Sequence, residues 1–286
     1  MPKAAYRVLM PQSRTSSVIF ASPHSSRDYP KSFLQQSVLD DHAIRSSEDA
    51  FVDRLFAAAP DSGAPFIEAT APRAYVDMNR SPDELDPALI QGMRSVTYNP
   101  RIVSGLGVVP RVVANSRCIY SGKLTMEEVQ ARIDTYWHPY HEKLQSLLNE
   151  SHELFGQAIL IDCHSMPHEA LDSLARSGMR RPEVVLGDRF GASASAAVMD
   201  VVERAFLDEG LSVVRNVPFA GAYTTQHYGR PSRRQHVVQV EIDRSLYMDE
   251  RLIRPNRNFQ AMQEALTRIV AKITAFGEGQ QQLAAE

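Results

Sequence analysis

An α/β fold, with helices packed around a central mixed, mostly parallel sheet, is predicted by three features of this 286-residue sequence. First, short apolar runs occur at residues 17–22 (SVIFAS), 157–167 (QAILIDCHSMP) and 182–187 (PEVVLG), with a further clear strand at 236–242 (HVVQVEI). Runs apolar at successive rather than alternate positions are the pattern of strands covered on both faces. Second, helical patterns at 125–155, 193–210 and 258–276 fall between or after those runs. Strands alternating with helices cover both faces of one sheet. Third, a chain 43% hydrophobic and 23% charged can bury one sizeable core. A single domain over residues 1–277, with a frayed, disordered tail at 278–286, is therefore expected.

Each element has a local reason. The strand at 17–22 delivers His24 into the turn Pro23-His24-Ser25-Ser26. A short helix starts in 31–39. Ser46 and Ser47, then Glu48 and Asp49, precede the apolar residues Phe51, Val52, Leu55 and Phe56. That is an N-cap signature, with acids favoured in the first turn by the helix dipole. Residues 65–69 (PFIEA) read as extended, and 73–80 (RAYVDMNR) as a short strand ending in a polar cluster. Residues 92–123 carry Gly, Pro, Arg and Ser without helical periodicity. An excursion of that length in a compact domain is usually functional or covers a site.

Helical spacing returns at 125, where Thr125 and Glu128 form a capping box, and Pro139 predicts a kink or a boundary. The run at 157–167 carries Asp162, Cys163, His164 and Ser165 to its C-terminal end, where open α/β sheets place ligand crevices. The helix at 193–210 ends on Gly210 as its C-cap. A strand at 211–214 and a Gly-, Tyr- and Thr-rich loop at 218–229 follow. In the strand at 236–242 the inner face carries Val237, Gln239 and Glu241 or the opposite set.

Several classes are excluded. A net charge of −3 leaves no electrostatic footprint for nucleic acid or an anionic membrane. No apolar run at the start suits a signal peptide, and none reaches the length of about 18 residues that spans a bilayer. Two cysteines, Cys118 and Cys163, are too few for a disulfide framework. A reduced, cytoplasmic protein is expected.

The chemistry-bearing residues are His24 and His164, each ending a buried strand, the acids Glu48 and Asp49, and Glu241 late in another strand. A lone histidine at a strand end is as well read as a satisfied core residue, and Glu48 and Asp49 as helix-capping acids. Together, two histidines and a carboxylate are the ligand set of catalytic zinc, with a further carboxylate to act on its water. No HExxH or CxxC spacing is present. Asn79 and Arg80 can fork a substrate carboxylate, or Arg80 can pair with Asp83, Glu84 or Asp86. His138 and His141 read as structural or supporting, His42, His152 and His168 as surface or loop residues, and His236 is open.

The ordered motifs SPHSS, YVDMNR, YWHPYH, IDCHSMP, AYTTQHYGRP and VVQVEIDRSLYMDE resemble those of the N-formylglutamate amidohydrolase family, from about residue 18 to about residue 251. The resemblance implies a three-layer α/β/α sandwich with a central mixed, mostly parallel sheet, the fold shared with zinc carboxypeptidases (phosphorylase/hydrolase-like) and aspartoacylase. It implies a zinc-dependent amidohydrolase acting on N-formyl-L-glutamate or a related N-acyl amino acid, a small-molecule substrate, in histidine degradation. Another divalent ion can take the place of the single zinc. Carried over, His24 and His164 resemble metal ligands, with Asp49, or its neighbour Glu48, as the acidic ligand. Glu241 resembles the water-activating carboxylate, Arg73 the arginine that polarises the carbonyl, and Asn79 and Arg80 the carboxylate clamp. His227 and Tyr228 line the pocket, and Arg230 and Arg244 are candidates for a second carboxylate. The sequence departs from the family pattern at Ser26 and at Gly221-Ala222, where glycine is frequent. Alternatives are an amidase for another N-acyl amino acid or peptide, and a non-catalytic protein binding an acidic metabolite. The oligomeric state is left open.

Overall fold

The computed structural model describes residues 4–94, 98–174 and 181–278. The expected frayed tail beyond 278 lies outside the described residues. The chain divides into two compact units, one of Met1–Arg7, Pro23–Ala50 and Glu68–Lys143, the other of Val8–Ser22, Phe51–Ile67 and Leu144–Glu286.

The α/β class is as the sequence predicts. Among the described residues seven strands form the main sheet: β1 (Tyr6–Leu9), β2 (Val18–Ser22), β3 (Phe66–Ala69), β4 (Ala158–Met166), β5 (Val184–Gly187), β6 (Val213–Arg215) and β7 (Gln235–Asp243). Their order is β1-β3-β2-β4-β7-β5-β6. The β2/β4, β4/β7 and β5/β6 pairs are parallel, and β5/β7 is antiparallel. Nine successive residues of β4 are buried, because β2 and β7 flank it and both faces are covered. Ile159, Leu160 and Ile161 there each contribute about 1.5–3 kcal/mol of burial. The sequence reading missed β1, a strand at the end of the sheet that is only partly buried and lacks a continuous apolar run.

In the second unit, the Phe259–Glu278 helix buries Phe259, Met262, Leu266, Ile269, Val270 and Ile273, a stripe at three- and four-residue spacing. Gly277 ends that stripe because a Cβ there would stand 2.3 Å from Ser16 Oγ. The Ala196–Leu207 helix starts on Ser195, whose hydroxyl accepts from Val198 N. Within 218–229, read from sequence as a loop, Tyr223–Tyr228 forms a helix.

In the first unit, residues 73–80 are not the expected strand but a buried irregular turn. Tyr75 N and Val76 N both donate to Pro72 O, and Asp77 N donates to Val108 O. The 92–123 excursion supplies that last acceptor, and Leu106 O accepts from Arg80 Nε at 3.1 Å. The excursion therefore holds the turn in place. The capping box at Thr125 and Glu128 is present. Instead of a break at Pro139, a π-helical turn, Ile133–Trp137, leads directly into His138–Phe155. The wider turn accommodates a proline ring that would clash with the carbonyl four residues back. From this helix, Trp137 Nε1 donates to Arg80 O at 2.9 Å and His141 Nε2 lies 2.9 Å from Met78 O.

Candidate metal centre and active site

Alternation along β4 turns Asp162 and His164 to one face and Cys163 to the other. All three are buried, and His164 Nε2 lies 3.0 Å from Asp162 Oδ2. The β4/β7 register sets Gln239 beside Asp162 and Glu241 beside His164, so these four side chains share a face. Glu241 is half-buried, and its Oε1 accepts from Gln239 Nε2 at 2.9 Å. Burial, then the Asp162 charge, push the Cys163 thiol well above its ordinary value, which disfavours the thiolate form.

Just past β7, the buried Arg244 donates to Ser165 Oγ at 3.2 Å. Tyr228 is buried on the Tyr223–Tyr228 helix, its phenol raised by burial, then by the Tyr223 and Asp162 charges. His227, on the exposed side, stacks on Tyr223 at 4.9 Å. Arg230 is exposed and donates to Gln226 O at 3.0 Å.

In the first unit, His24 is buried, with Nε2 2.7 Å from Asp77 Oδ1 and Nδ1 3.5 Å from Asp49 Oδ2. Asp49 N donates to His24 O at 3.0 Å, which draws Asp49 out of any helix. The expected N-cap is therefore absent: Glu48 is extended, Phe51 takes a left-handed φ of 69°, and only Val52–Leu55 is helical. Glu48, the alternative acidic ligand, is engaged elsewhere, since Arg45 donates to both of its oxygens, at 2.9 and 3.1 Å. Of the two acids, the structure gathers Asp49 with the histidine.

Asp77 also accepts from Arg73 Nε at 3.0 Å and Asn79 N at 2.8 Å. Burial alone would raise its pKa, but its neighbours His24, Arg73 and Arg80 reverse this and hold it well below the usual carboxylate range. Arg80 is buried and donates to Asn79 O at 2.8 Å as well as to Leu106 O.

One donor atom each from His24, Asp49 and His164 lies within 4.8 Å of the others, and all three residues are buried. Three observations fit this group to a divalent ion. Donors about 2.1 Å from a tetrahedral zinc stand roughly 3.4 Å apart, and the His24–Asp49 separation is 3.5 Å. Each histidine meets a carboxylate at Nε2, Asp77 for His24 and Asp162 for His164. A carboxylate only accepts, so a neutral ring that gives its Nε2 proton to such a partner presents Nδ1 as a metal donor, an arrangement these pairs allow.

The family model for N-formylglutamate amidohydrolase matches residues 16–248. The chain belongs to the N-formylglutamate amidohydrolase family. Among its relatives is an N-formylglutamate deformylase of Pseudomonas putida, 31% identical over 207 residues that cover 71% of each chain. Another, from Pseudomonas aeruginosa, is 30% identical over 224 residues, 76% of this chain and 77% of that one. The crystal structure of N-formylglutamate amidohydrolase from Ralstonia eutropha matches with a TM-score of 0.90 at 33% identity, covering 97% of this chain and 99% of that one. The gene product Atu2144 of Agrobacterium tumefaciens shares the fold, with a TM-score of 0.65 at 16% identity over 96% of each chain.

Within this member of the N-formylglutamate amidohydrolase family, sequence reasoning assigned nothing to Asp77, Asp162 or Gln239. Each sits two residues before a residue it did single out: Asn79, His164 and Glu241. On β4 and β7 that spacing puts both side chains on one face, a signal the strand pattern already carried. Outside the site, His168 Nδ1 pairs with Asp243 Oδ2 at 2.7 Å, and His236 Nδ1 accepts from Ser195 N at 3.3 Å. No helix among the described residues is long and apolar enough to cross a membrane.

Proposed function

We propose that this chain is a zinc-dependent amidohydrolase that cleaves N-formyl-L-glutamate, or a related N-acyl amino acid, to the carboxylic acid and the free amino acid. The observation that carries the reading is the buried His24–Asp49–His164 group, with Glu241 in register beside His164. The relatives named N-formylglutamate deformylase support the substrate. A zinc ion held by those three residues supplies a water acidified towards pKa ~7 and a Lewis acid for the formyl oxygen.

The chain's own residues do the rest. Glu241 takes the proton of the attacking water as its oxygen bonds to the formyl carbon. It returns that proton to the nitrogen as the carbon–nitrogen bond breaks, giving formate and glutamate. Arg73, oriented through Nε by Asp77, places its guanidinium charge against the developing oxyanion. Asn79 and Arg80 hold the α-carboxylate, which fixes the amide against the reacting groups. Arg244, buried and hydrogen-bonded to Ser165, takes the side-chain carboxylate, with Arg230 as an outer alternative. His227 and Tyr228 line the pocket.

The test is formate release from N-formyl-L-glutamate by the purified protein, with metal content measured on the same sample. Release abolished by chelation and restored by zinc is the expected result. Bound zinc without formate release would move the substrate to another N-acyl amino acid. Neither zinc binding nor formate release after zinc addition would overturn the hydrolase reading.

A further inference from the structure

Gln239 stands one step behind Glu241 on the same face of β7 and makes two directed bonds. Its Oε1 accepts from Ala222 N at 3.1 Å, and its Nε2 donates to Glu241 Oε1 at 2.9 Å. The amide orientation is dictated chemically, because a backbone N–H can only donate and an ionised carboxylate can only accept. Ala222 is the residue that opens the Tyr223–Tyr228 helix. It reaches Gln239 because the partner of Gln239 on β5 is Gly187, where a Cβ would stand 2.7 Å from Ala220 C and 2.8 Å from Gly221 N. The backbone before the helix thus passes directly over Gly187.

We propose that Gln239 is a positioning residue for Glu241. It fixes the direction of the carboxylate and makes that direction depend on the seating of the helix that carries His227 and Tyr228. The proposal rests on the reading of Glu241 as the base. The terminal torsion of a glutamate is broad by itself, and a directed amide donor on one oxygen narrows the orientations its carboxylate can take. Because the donor is the far end of an amide whose near end is held by Ala222 N, the base and the substrate-lining helix are registered through one side chain.

The decisive variant is Q239E. It keeps the volume and an oxygen to accept from Ala222 N, but replaces the fixed amide donor by a second carboxyl, which either repels the Glu241 carboxylate or shares its proton. If Gln239 only braces the helix, Q239E retains wild-type turnover. If it positions the base, kcat falls about 10- to 100-fold, part of the ~10²–10⁴ that a general base contributes, with KM and metal content little changed. Q239M, which loses both bonds without adding a charge, should also lose kcat, and guards against a Q239E effect due to charge alone. Wild-type kcat in either variant overturns the proposal. A crystal structure of metal-free Q239M provides a readout independent of substrate and turnover. A Glu241 carboxylate turned away from its wild-type direction supports the proposal, and an unmoved one refutes it. Failure of the wild-type protein to hydrolyse any N-acyl amino acid would count instead against the functional reading.

Discussion

Removal of the Asp77 carboxylate tests the link between His24, the proposed metal ligand, and the 73–80 turn proposed to bind the substrate. Asp77 accepts from Asn79 N and Arg73 Nε and meets His24 Nε2, at 2.8, 3.0 and 2.7 Å, and its side chain is 3% exposed. Asp77→Ala leaves three donors, the buried His24 Nε2 and Asn79 N and the part-buried Arg73 Nε, without this acceptor. Breaking a buried charged pair by removing one partner costs about 3–5 kcal/mol. The exposed face of Arg73, whose side chain is 26% accessible, lets water recover part of that, so about 3 kcal/mol is the expected loss. For a chain of this size that lowers Tm by roughly 5–10 °C in metal-free protein. Zinc affinity should fall by about 10- to 100-fold, because the His24 ring loses the bond that fixes its tautomer and direction. Asp77→Asn keeps one acceptor oxygen and should fall near the lower figure. Thermal unfolding of metal-free protein and zinc competition against a chromophoric chelator measure the two effects separately. Wild-type zinc affinity in Asp77→Ala would refute the argument that this carboxylate sets the His24 ring.

Glu241→Gln should keep its zinc while kcat falls about 10²- to 10⁴-fold, measured by formate release with metal analysis; retained turnover would remove Glu241 as base. His164→Ala should lose zinc itself, and full occupancy in that variant would take His164 off the ligand set. Asp49→Asn and Glu48→Gln should separate the adjacent acids: the first lowers zinc content, while the second leaves it intact and acts through the Arg45 and Tyr29 contacts. His236 is held below its ordinary pKa of 6.5 by burial, then by the Arg234 and His152 charges. The unfolded chain therefore binds a proton that the folded chain resists, so stability is full above pH 6.5 and declines as pH falls through the folded pKa. His236→Gln should flatten that decline in denaturant unfolding followed across pH 5–8; an unchanged slope would assign it to other groups.

The strands of the sheet interior were legible because burial on both faces writes a continuous apolar run into the chain, as at β4 and β7. Strand β1 was not, because its partial burial leaves no such run. The turn at 73–80 was misread as a strand because its apolar residues are buried by the excursion and the long helix, not by sheet neighbours. Glu48 and Asp49 matched a helix start by local rule, but the Asp49 N to His24 O bond pulled the backbone elsewhere. That contact spans 25 residues of chain, and no local rule contains it.

The sequence by itself determined the residue types for a metal site and the strands that carry them. It also set the shared face of Asp162 with His164 and of Gln239 with Glu241, because two-residue alternation is a property of any strand. Only the tertiary structure decided that Asp49 rather than Glu48 meets His24, that Asp77 holds the His24 ring, and that Gln239 joins Ala222 to Glu241. Those choices turn on which distant groups come within hydrogen-bonding reach, and chain spacing does not encode that distance.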